Sequence, residues 1–148
     1  MHVLIEAKYH KGHRDEALDQ ALEFKEIFEQ QNDGKALGHA LLIAATLEFK
    51  RGNVEEASSY NTKAQAMFGE ESDTSGEADA LKMSAEIQWK KNEFKSAIRF
   101  AEKSRALYRE LGKNEGEIAC ALDAWIQELF DPGSLYLIGF CCFFSLCN

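Results

Sequence analysis

The chain has 148 residues, a length that corresponds to one domain, and 45% of its residues are hydrophobic. Its formal net charge is −8 at pH 7, which argues against a nucleic-acid-binding surface, because such surfaces need clustered lysine and arginine. The one proline, Pro132, lies near the C-terminus, so the composition favours a helical body without a proline-rich linker.

The N-terminal residues differ from a signal peptide. The opening sequence, MHVLIEAKYHKGHRDEA, has no basic leader and no long apolar core, since Glu6 and Lys8 interrupt it. We therefore expect a cytoplasmic protein. In the repeat register described next, Met1 falls inside a helix, so we also expect the chain to be part of a longer array.

Three copies of one pattern follow each other without a gap, at a constant spacing of about 40 residues, which is typical of repeat proteins. The positions that share this spacing are the turn residues Gly12, Gly52 and Asn92, the alanines Ala17, Ala57 and Ala97, the aromatics Tyr9, Phe49 and Trp89 before each turn, and Phe28, Phe68 and Tyr108 near the end of each copy. In such proteins each supersecondary unit packs on its neighbours.

Each copy is expected to contain two helices. In the third copy Leu81, Ala85 and Trp89 recur every four residues, which indicates one face of a helix. Asn92 is expected to end that helix, because asparagine tolerates the left-handed conformation, and a second helix is expected to begin near Phe94.

The second helix of each copy carries a stripe of residues on one face. The three stripes are Ala17, Ala21, Phe24 and Phe28, then Ala57, Asn61, Ala64 and Phe68, then Ala97, Ala101, Ser104 and Tyr108. We expect the small residues where the two helices of a hairpin come close, and the aromatics where the second helix meets the next repeat. Asn61 needs a hydrogen-bond partner in this seam, because burying an unpaired amide is costly.

The boundaries between copies contain residues that end or cap helices. We expect Gly34 to stop the second helix of the first copy, and Asp73, Thr74 or Ser75 to cap the helix that follows the second copy. Residues 111–114 close the third copy, and residues 115–130 are expected to form the first helix of a partial fourth copy.

This pattern resembles the tetratricopeptide repeat family. The family signature places small residues in both helices and glycine at the turn, and the matching positions here are Ala45, Gly52, Ala57 and Ala64 in the middle copy and Ala85, Ala97 and Ser104 in the third. The family period is about 34 residues. The longer period here looks like the subclass found in spindle-orienting scaffold proteins and large bacterial transcription activators.

The resemblance covers roughly residues 1–130 and implies an all-α fold. We expect a right-handed α-solenoid of about three and a half antiparallel helical hairpins over residues 1–133. The repeats are expected at about 1–35, 36–75 and 76–115, with a partial repeat at 116–131 and an apolar, cysteine-containing tail at 134–148.

The tail has three interpretations that the sequence leaves open. Residues 135–147 are almost entirely apolar, but a membrane-spanning helix needs about 20 such residues. The tail is therefore a truncated membrane anchor, a cap on the apolar end of the solenoid, or the product of an incorrect gene end. Contact with a membrane is expected only through this tail, and self-association through the tail and the exposed solenoid ends.

No arrangement of residues predicts an enzyme. The cysteines lack paired zinc-site spacing, and no Ser-His-Asp, Cys-His or phosphate-binding pattern is present. Glu6, His10 and His13 surround the first turn, but a turn near a frayed end does not hold metal ligands rigidly. We expect no catalytic residue, no metal and no cofactor.

The expected site is a concave groove, which the first helix of each repeat lines in the family. The groove faces are His39, Leu42, Ile43, Thr46, Phe49 and Lys50 in the second copy, Asp79, Lys82, Met83, Glu86, Trp89 and Lys90 in the third, and include Tyr9 in the first. Of these, our candidate peptide-binding residues are Tyr9, Ile43, Thr46, Phe49, Lys50, Lys82, Met83, Glu86, Trp89 and Lys90. The alternative is that Tyr9, Phe49 and Trp89 pack between helices as core.

The function that this implies is a non-catalytic protein–protein interaction module. An aromatic row with lysines beside it suits an extended, acidic peptide, and no nucleic acid is expected as partner. Two alternatives remain: a membrane-tethered subunit anchored by the tail, and a sensor segment of a larger protein.

Overall fold

The computed structural model describes Ile5, Lys8, Tyr9 and residues 11–113. Five α-helices follow each other in residues 11–113: α1 (Arg14–Gln31), α2 (Gly34–Arg51), α3 (Val54–Glu70), α4 (Thr74–Lys90) and α5 (Phe94–Glu110). The predicted all-α class is confirmed for this part of the chain. None of these described helices is both long and apolar enough to cross a membrane. The predicted fourth repeat and the tail at 134–148 lie outside the described residues.

The turns inside the hairpins have the conformation that the repeat pattern predicts. Gly12, Gly52 and Asn92 take φ values of 90°, 92° and 62°. This left-handed region costs glycine little and asparagine less than most other residues. The helices α2 and α4 therefore end where predicted, and α5 begins at Phe94 as expected.

A second series of left-handed residues connects one hairpin to the next. Asn32, Ser72 and Gly112 have φ values of 52°, 53° and 65°, and they follow each other at the same spacing as the hairpin turns. The repeat period is therefore present in the backbone at both kinds of turn. Because Asn and Ser hold two of these positions, glycine alone does not mark them in the sequence.

The prediction that Gly34 stops the second helix of the first copy is wrong. Asn32 takes the left-handed conformation instead, and Gly34 is the first residue of α2. The physical reason is the cap: the side chain of Asp33 accepts a hydrogen bond from the amide of Ala36 at 2.9 Å. This bond satisfies one of the free amides at the start of α2, so the helix begins directly after Asp33.

The start of α4 repeats this arrangement. Oδ1 of Asp73 accepts a hydrogen bond from the amide of Gly76 at 3.3 Å, so Asp73 is the cap among the three predicted candidates. Thr74 is the first residue of α4 and Ser75 the second. The two caps, Asp33 and Asp73, are again separated by one repeat period.

Each helix packs on the next helix along the chain, in the manner of a helical repeat. The short connections make neighbouring helices antiparallel, and α2 and α4 also touch each other. Ala17, Ala57 and Ala97 each have 0% exposure. The prediction that these alanines are buried is therefore confirmed, and it holds at the same position of all three copies.

Phe68, at the end of α3, contacts the first helices of two successive repeats. Its side chain is 0% exposed. A Cβ on Gly38 of α2 would lie 2.7 Å from Cε1 of Phe68, and a Cβ on Gly76 of α4 would lie 2.7 Å from Cγ and still closer to Cδ1. The ring thus occupies space that exists because both positions are glycine. As predicted, the aromatic lies where the second helix meets the next repeat.

The side-chain nitrogen of the buried Asn61 has two hydrogen-bond partners, whereas its Oδ1 is buried and has none among the described residues. Nδ2 donates to the carbonyl oxygen of Ala80 at 3.1 Å and to Oγ of Ser84 at 2.8 Å. Nε2 of Gln65 also donates to Oγ of Ser84, at 2.7 Å. Polar side chains therefore connect α3 to α4 in a seam that also contains small alanine side chains.

Candidate functional site

A groove runs between α2 and α4, the first helices of two successive repeats. It encloses a cavity of about 800 Å³, lined by Asp33, Lys35, Ala36, His39, Leu42, Ile43, Thr46, Asp79, Lys82, Met83 and Glu86. Most of the lining residues of each helix are spaced three or four positions apart, so each helix presents one face to the groove. The groove is therefore a product of the repeat.

The floor of the groove is apolar. Leu42 and Ile43 come from α2 and Met83 from α4; Ile43 is 8% and Met83 5% exposed. Oγ1 of Thr46 donates to the carbonyl oxygen of Leu42 at 2.9 Å and lies 3.8 Å from the sulfur of Met83. With its hydroxyl bonded to its own helix, Thr46 offers mainly its methyl group to a ligand.

Two of the groove's basic side chains lie against one buried carboxylate, that of Asp73. Nζ of Lys35 lies 3.1 Å from Oδ2 of Asp73, and Nε2 of His39 lies 3.4 Å from the same oxygen. The ring of His39 also packs edge-on against Phe68, with 4.9 Å between the ring centroids. Lys35 and His39 therefore lie next to the Asp73 carboxylate at the end of the groove where α2 and α4 begin.

These neighbours shift the titration of Asp73. Burial of its carboxyl group acts to raise the pKa, but the Lys35 ammonium, the Gly76 amide and the His39 ring together outweigh it. The pKa of Asp73 therefore lies below its ordinary value of 3.8. A lowered pKa means that the folded chain stabilises the charged carboxylate more than the unfolded chain does.

We expect Asp73→Asn to lower the free energy of unfolding by about 0.2–1 kcal/mol at pH 7, the range of a partly exposed ion pair. The amide oxygen still caps α4, so the loss comes from the charge. Because the folded pKa is the lower one, this stabilisation is present above the unfolded value of about 4 and is lost as the pH falls through the folded value. Melting temperatures at pH 7 and pH 3 should show a smaller gap between the two proteins at pH 3. An equal gap at both values would contradict the charge effect.

Lys82 differs from Lys35 and His39. It lies midway along the α4 wall, and among the described residues no carboxylate comes within ion-pair distance of its ammonium. Asp79, one turn before it, accepts a hydrogen bond from the hydroxyl of Tyr108. The positive charge of Lys82 is therefore available inside the groove.

Five of the ten candidate groove residues line the cavity: Ile43, Thr46, Lys82, Met83 and Glu86. His39, Leu42 and Asp79, which belong to the predicted groove faces, line it as well. The other five candidates, Tyr9, Phe49, Lys50, Trp89 and Lys90, do not line this cavity.

The aromatic row packs mainly against protein. Phe49 packs on a buried cluster that includes Ala57 and Ile87. The ring of Trp89 meets Phe94, the first residue of α5, with 4.6 Å between the centroids. Tyr9 packs on the core cluster formed by the first repeat and α2. For these aromatics the structure agrees with the alternative that they pack between helices.

The three lysines of the predicted groove are also separated. Nζ of Lys50 lies 4.8 Å from the centroid of the Tyr9 ring, where it makes a cation–π contact. Lys90 is exposed at the end of α4. Of the three, Lys82 alone lines the cavity between α2 and α4, so the structure does not gather them into one positive strip there.

Sequence reasoning missed the end of the groove formed by Asp33, Lys35 and Ala36. The cause is the wrong placement of the helix stop at Gly34, which put these residues in a connection. A signal for the correct start was present, since Asp33 stands one repeat period before Asp73, which the sequence analysis did propose as a cap.

Within the described residues, no group of three or more His, Cys, Asp or Glu side chains could hold a metal ion. Of the three residues considered around the first turn, Glu6 and His10 lie outside the described residues. Nδ1 of His13 lies 2.9 Å from Oε1 of Glu16, on the exposed surface of α1. This pair is a local contact within one helical turn.

Comparisons with known proteins do not supply a function. No family model matches the chain, and no curated protein matches it.

Proposed function

We propose that this chain is a non-catalytic protein–protein interaction module that binds an extended peptide segment in the groove between α2 and α4. In this proposal the hairpins belong to a right-handed, tetratricopeptide-like solenoid in the cytoplasm. The observation that carries it is the cavity of about 800 Å³, which has an apolar floor and charged walls. A concave, mostly apolar site with a few placed polar groups is the usual form of a binding site.

An extended segment suits this groove better than a flat protein surface does. In an extended chain successive side chains point to opposite sides, so one apolar side chain can reach Leu42 and Met83 while its neighbours stay between the walls. The walls are helices whose backbone groups bond within the helix, so recognition has to come from side chains. Such a site supports binding through side chains.

We expect Ala36→Phe to weaken peptide binding at least about tenfold, which corresponds to about 1.4 kcal/mol. Ala36 is a half-buried lining residue, so the added ring would fill part of the cavity without entering the core. The probe is the best peptide enriched from a random-peptide display library on the full chain, and its affinity is measured by fluorescence anisotropy.

The matched control is Ala66→Phe, because Ala66 is an exposed helical alanine on α3, outside the groove. This variant should bind the peptide as the wild type does. Failure of the library to enrich any peptide, or equal affinity of the Ala36→Phe variant, would refute the proposal.

The two alternative functions, a membrane-tethered subunit and a sensor segment of a larger protein, depend on different parts of the chain. A membrane-tethered subunit depends on residues 134–148, which lie outside the described residues. A sensor segment of a larger protein would use the same groove, so the library experiment addresses it too. No feature of residues 11–113 favours either alternative over a peptide-binding module.

A further inference from the structure

The α4 wall of the groove carries a short sequence of charges. Asp79, Lys82, Met83 and Glu86 all line the cavity, so along the wall an acid is followed by a cation, an apolar side chain and a second acid. A helix rises about 1.5 Å per residue, which places the two acidic positions about 4.5 and 6 Å along the axis on either side of Lys82. The positive charge is therefore confined to one short stretch of the wall.

The opposite wall does not extend this positive stretch. Lys35 and His39 both lie against the carboxylate of Asp73. Further along α2, Leu42 and Ile43 offer only hydrocarbon. Lys82 is thus the groove cation without an ion-pair partner among the described residues, and the apolar floor begins beside it with Met83.

We infer that the groove selects a segment in which a single Asp or Glu stands within two positions of an apolar side chain, with the carboxylate on Lys82 and the apolar side chain between Leu42 and Met83. This inference rests on the proposed function and specifies its ligand. The complementarity is local: the formal net charge of the chain is −8, so a negative ligand is repelled except near such a cation.

The same wall acts against an acidic run. A second or third carboxylate next to the first would come close to Asp79 or Glu86, and like charges brought together discriminate against the wrong ligand. A single carboxylate next to an apolar residue is therefore preferred over both a neutral apolar segment and a polyacidic one.

The experiment uses the same random-peptide display library on the full 148-residue chain. Wild type, Lys82→Glu and the control Lys63→Glu, an exposed lysine on α3, are selected in parallel, after circular dichroism melts show that all three fold. Wild type and Lys63→Glu should enrich peptides with one acid near Leu, Ile, Met or Phe. Lys82→Glu should lose this acid or replace it with Lys or Arg.

Affinities of variants of the best wild-type peptide then test the single carboxylate. Replacing its acid with Gln should weaken binding about threefold to fivefold, the upper part of the range of one partly exposed charge pair. Adding a Glu on each side of that acid should weaken binding as well, and less so at high salt, because salt screens the repulsion.

The outcomes separate this inference from the function on which it rests. Enriched peptides that lack an acid, bind equally well to Lys82→Glu and still fail to bind Ala36→Phe would overturn the inference and leave the peptide-binding groove intact. A polyacidic consensus would overturn it too. Absence of any enriched peptide would overturn both.

Discussion

Gly76→Ala is expected to lower the free energy of unfolding by about 1–3 kcal/mol, the usual cost of overpacking a core. The new methyl group would lie 2.7 Å from Cγ of Phe68, inside the van der Waals contact distance. The ring has little room to move aside, because it is 0% exposed and the backbone of a second glycine, Gly38, also lies close to its Cδ1–Cε1 edge. The loss should appear although alanine is the better helix former by about 1 kcal/mol.

Gly69→Ala is the matched control for this effect. Gly69 lies in α3 beside Phe68, and a Cβ there would meet no atom within 4 Å. Only the helix propensity changes, so Gly69→Ala should be as stable as the wild type or slightly more stable. Urea denaturation of the three proteins gives the comparison, and equal stability of the two alanine variants would mean that Phe68 does not fill the space at Gly76.

Ala97→Leu is also expected to lower the free energy of unfolding by about 1–3 kcal/mol, because the repeat places Ala97 where two helices pack closely. Ala97 is 0% exposed and occupies the same position as Ala57, whose cluster includes Leu42 and Phe49 of α2, the helix that precedes α3 as α4 precedes α5. The additional carbon atoms of leucine at such a position have to push α5 away from α4. The melting temperature should fall by several degrees for a chain of this size.

Ala106→Leu, on the exposed side of the same helix, provides the control. Leucine and alanine have similar helix propensities, so this variant should melt close to the wild type. An Ala97→Leu protein that melts together with Ala106→Leu would show that the repeat register assigns the wrong alanine to the interface.

The repeat of about 40 residues predicted those parts of the fold in which one residue has to adopt a particular backbone conformation. Gly52 and Asn92 have to adopt positive φ, and few residues do so readily, so the turn is readable from the sequence. Buried Ala57 and Ala97 are readable for a similar reason, because two helices that approach closely leave room for a small side chain only.

The groove was predicted less completely, because a helical face does not show which neighbour covers it. Phe49 and Trp89 share a face with the groove residues, but both stand in the last turn before the chain reverses. There the following helix returns over them: Val54 packs on the same cluster as Phe49, and Phe94 contacts Trp89. Whether an aromatic residue lines the groove or is covered by the next helix depends on its position along the helix. The repeat spacing alone does not show which of these positions is covered.

The different surroundings of Lys35 and Lys82 could not be read from the sequence either. The sequence contains no signal that places the Asp73 carboxylate beside Lys35. That contact joins the start of α2 to the connection before α4, and its formation depends on how two repeats stack. A contact that forms in only one repeat does not recur at the spacing of about 40 residues, so the repeat pattern cannot reveal it.

The burial of Phe68 also has a consequence for binding. Its ring contacts α2 at Gly38 and α4 at Gly76, the two helices that form the groove walls. Phe68 does not line the cavity, so under the proposed function a side chain outside the binding site would set the separation of the walls before a peptide binds. Such a pre-organised groove would lower the conformational entropy that the protein loses when the proposed peptide binds.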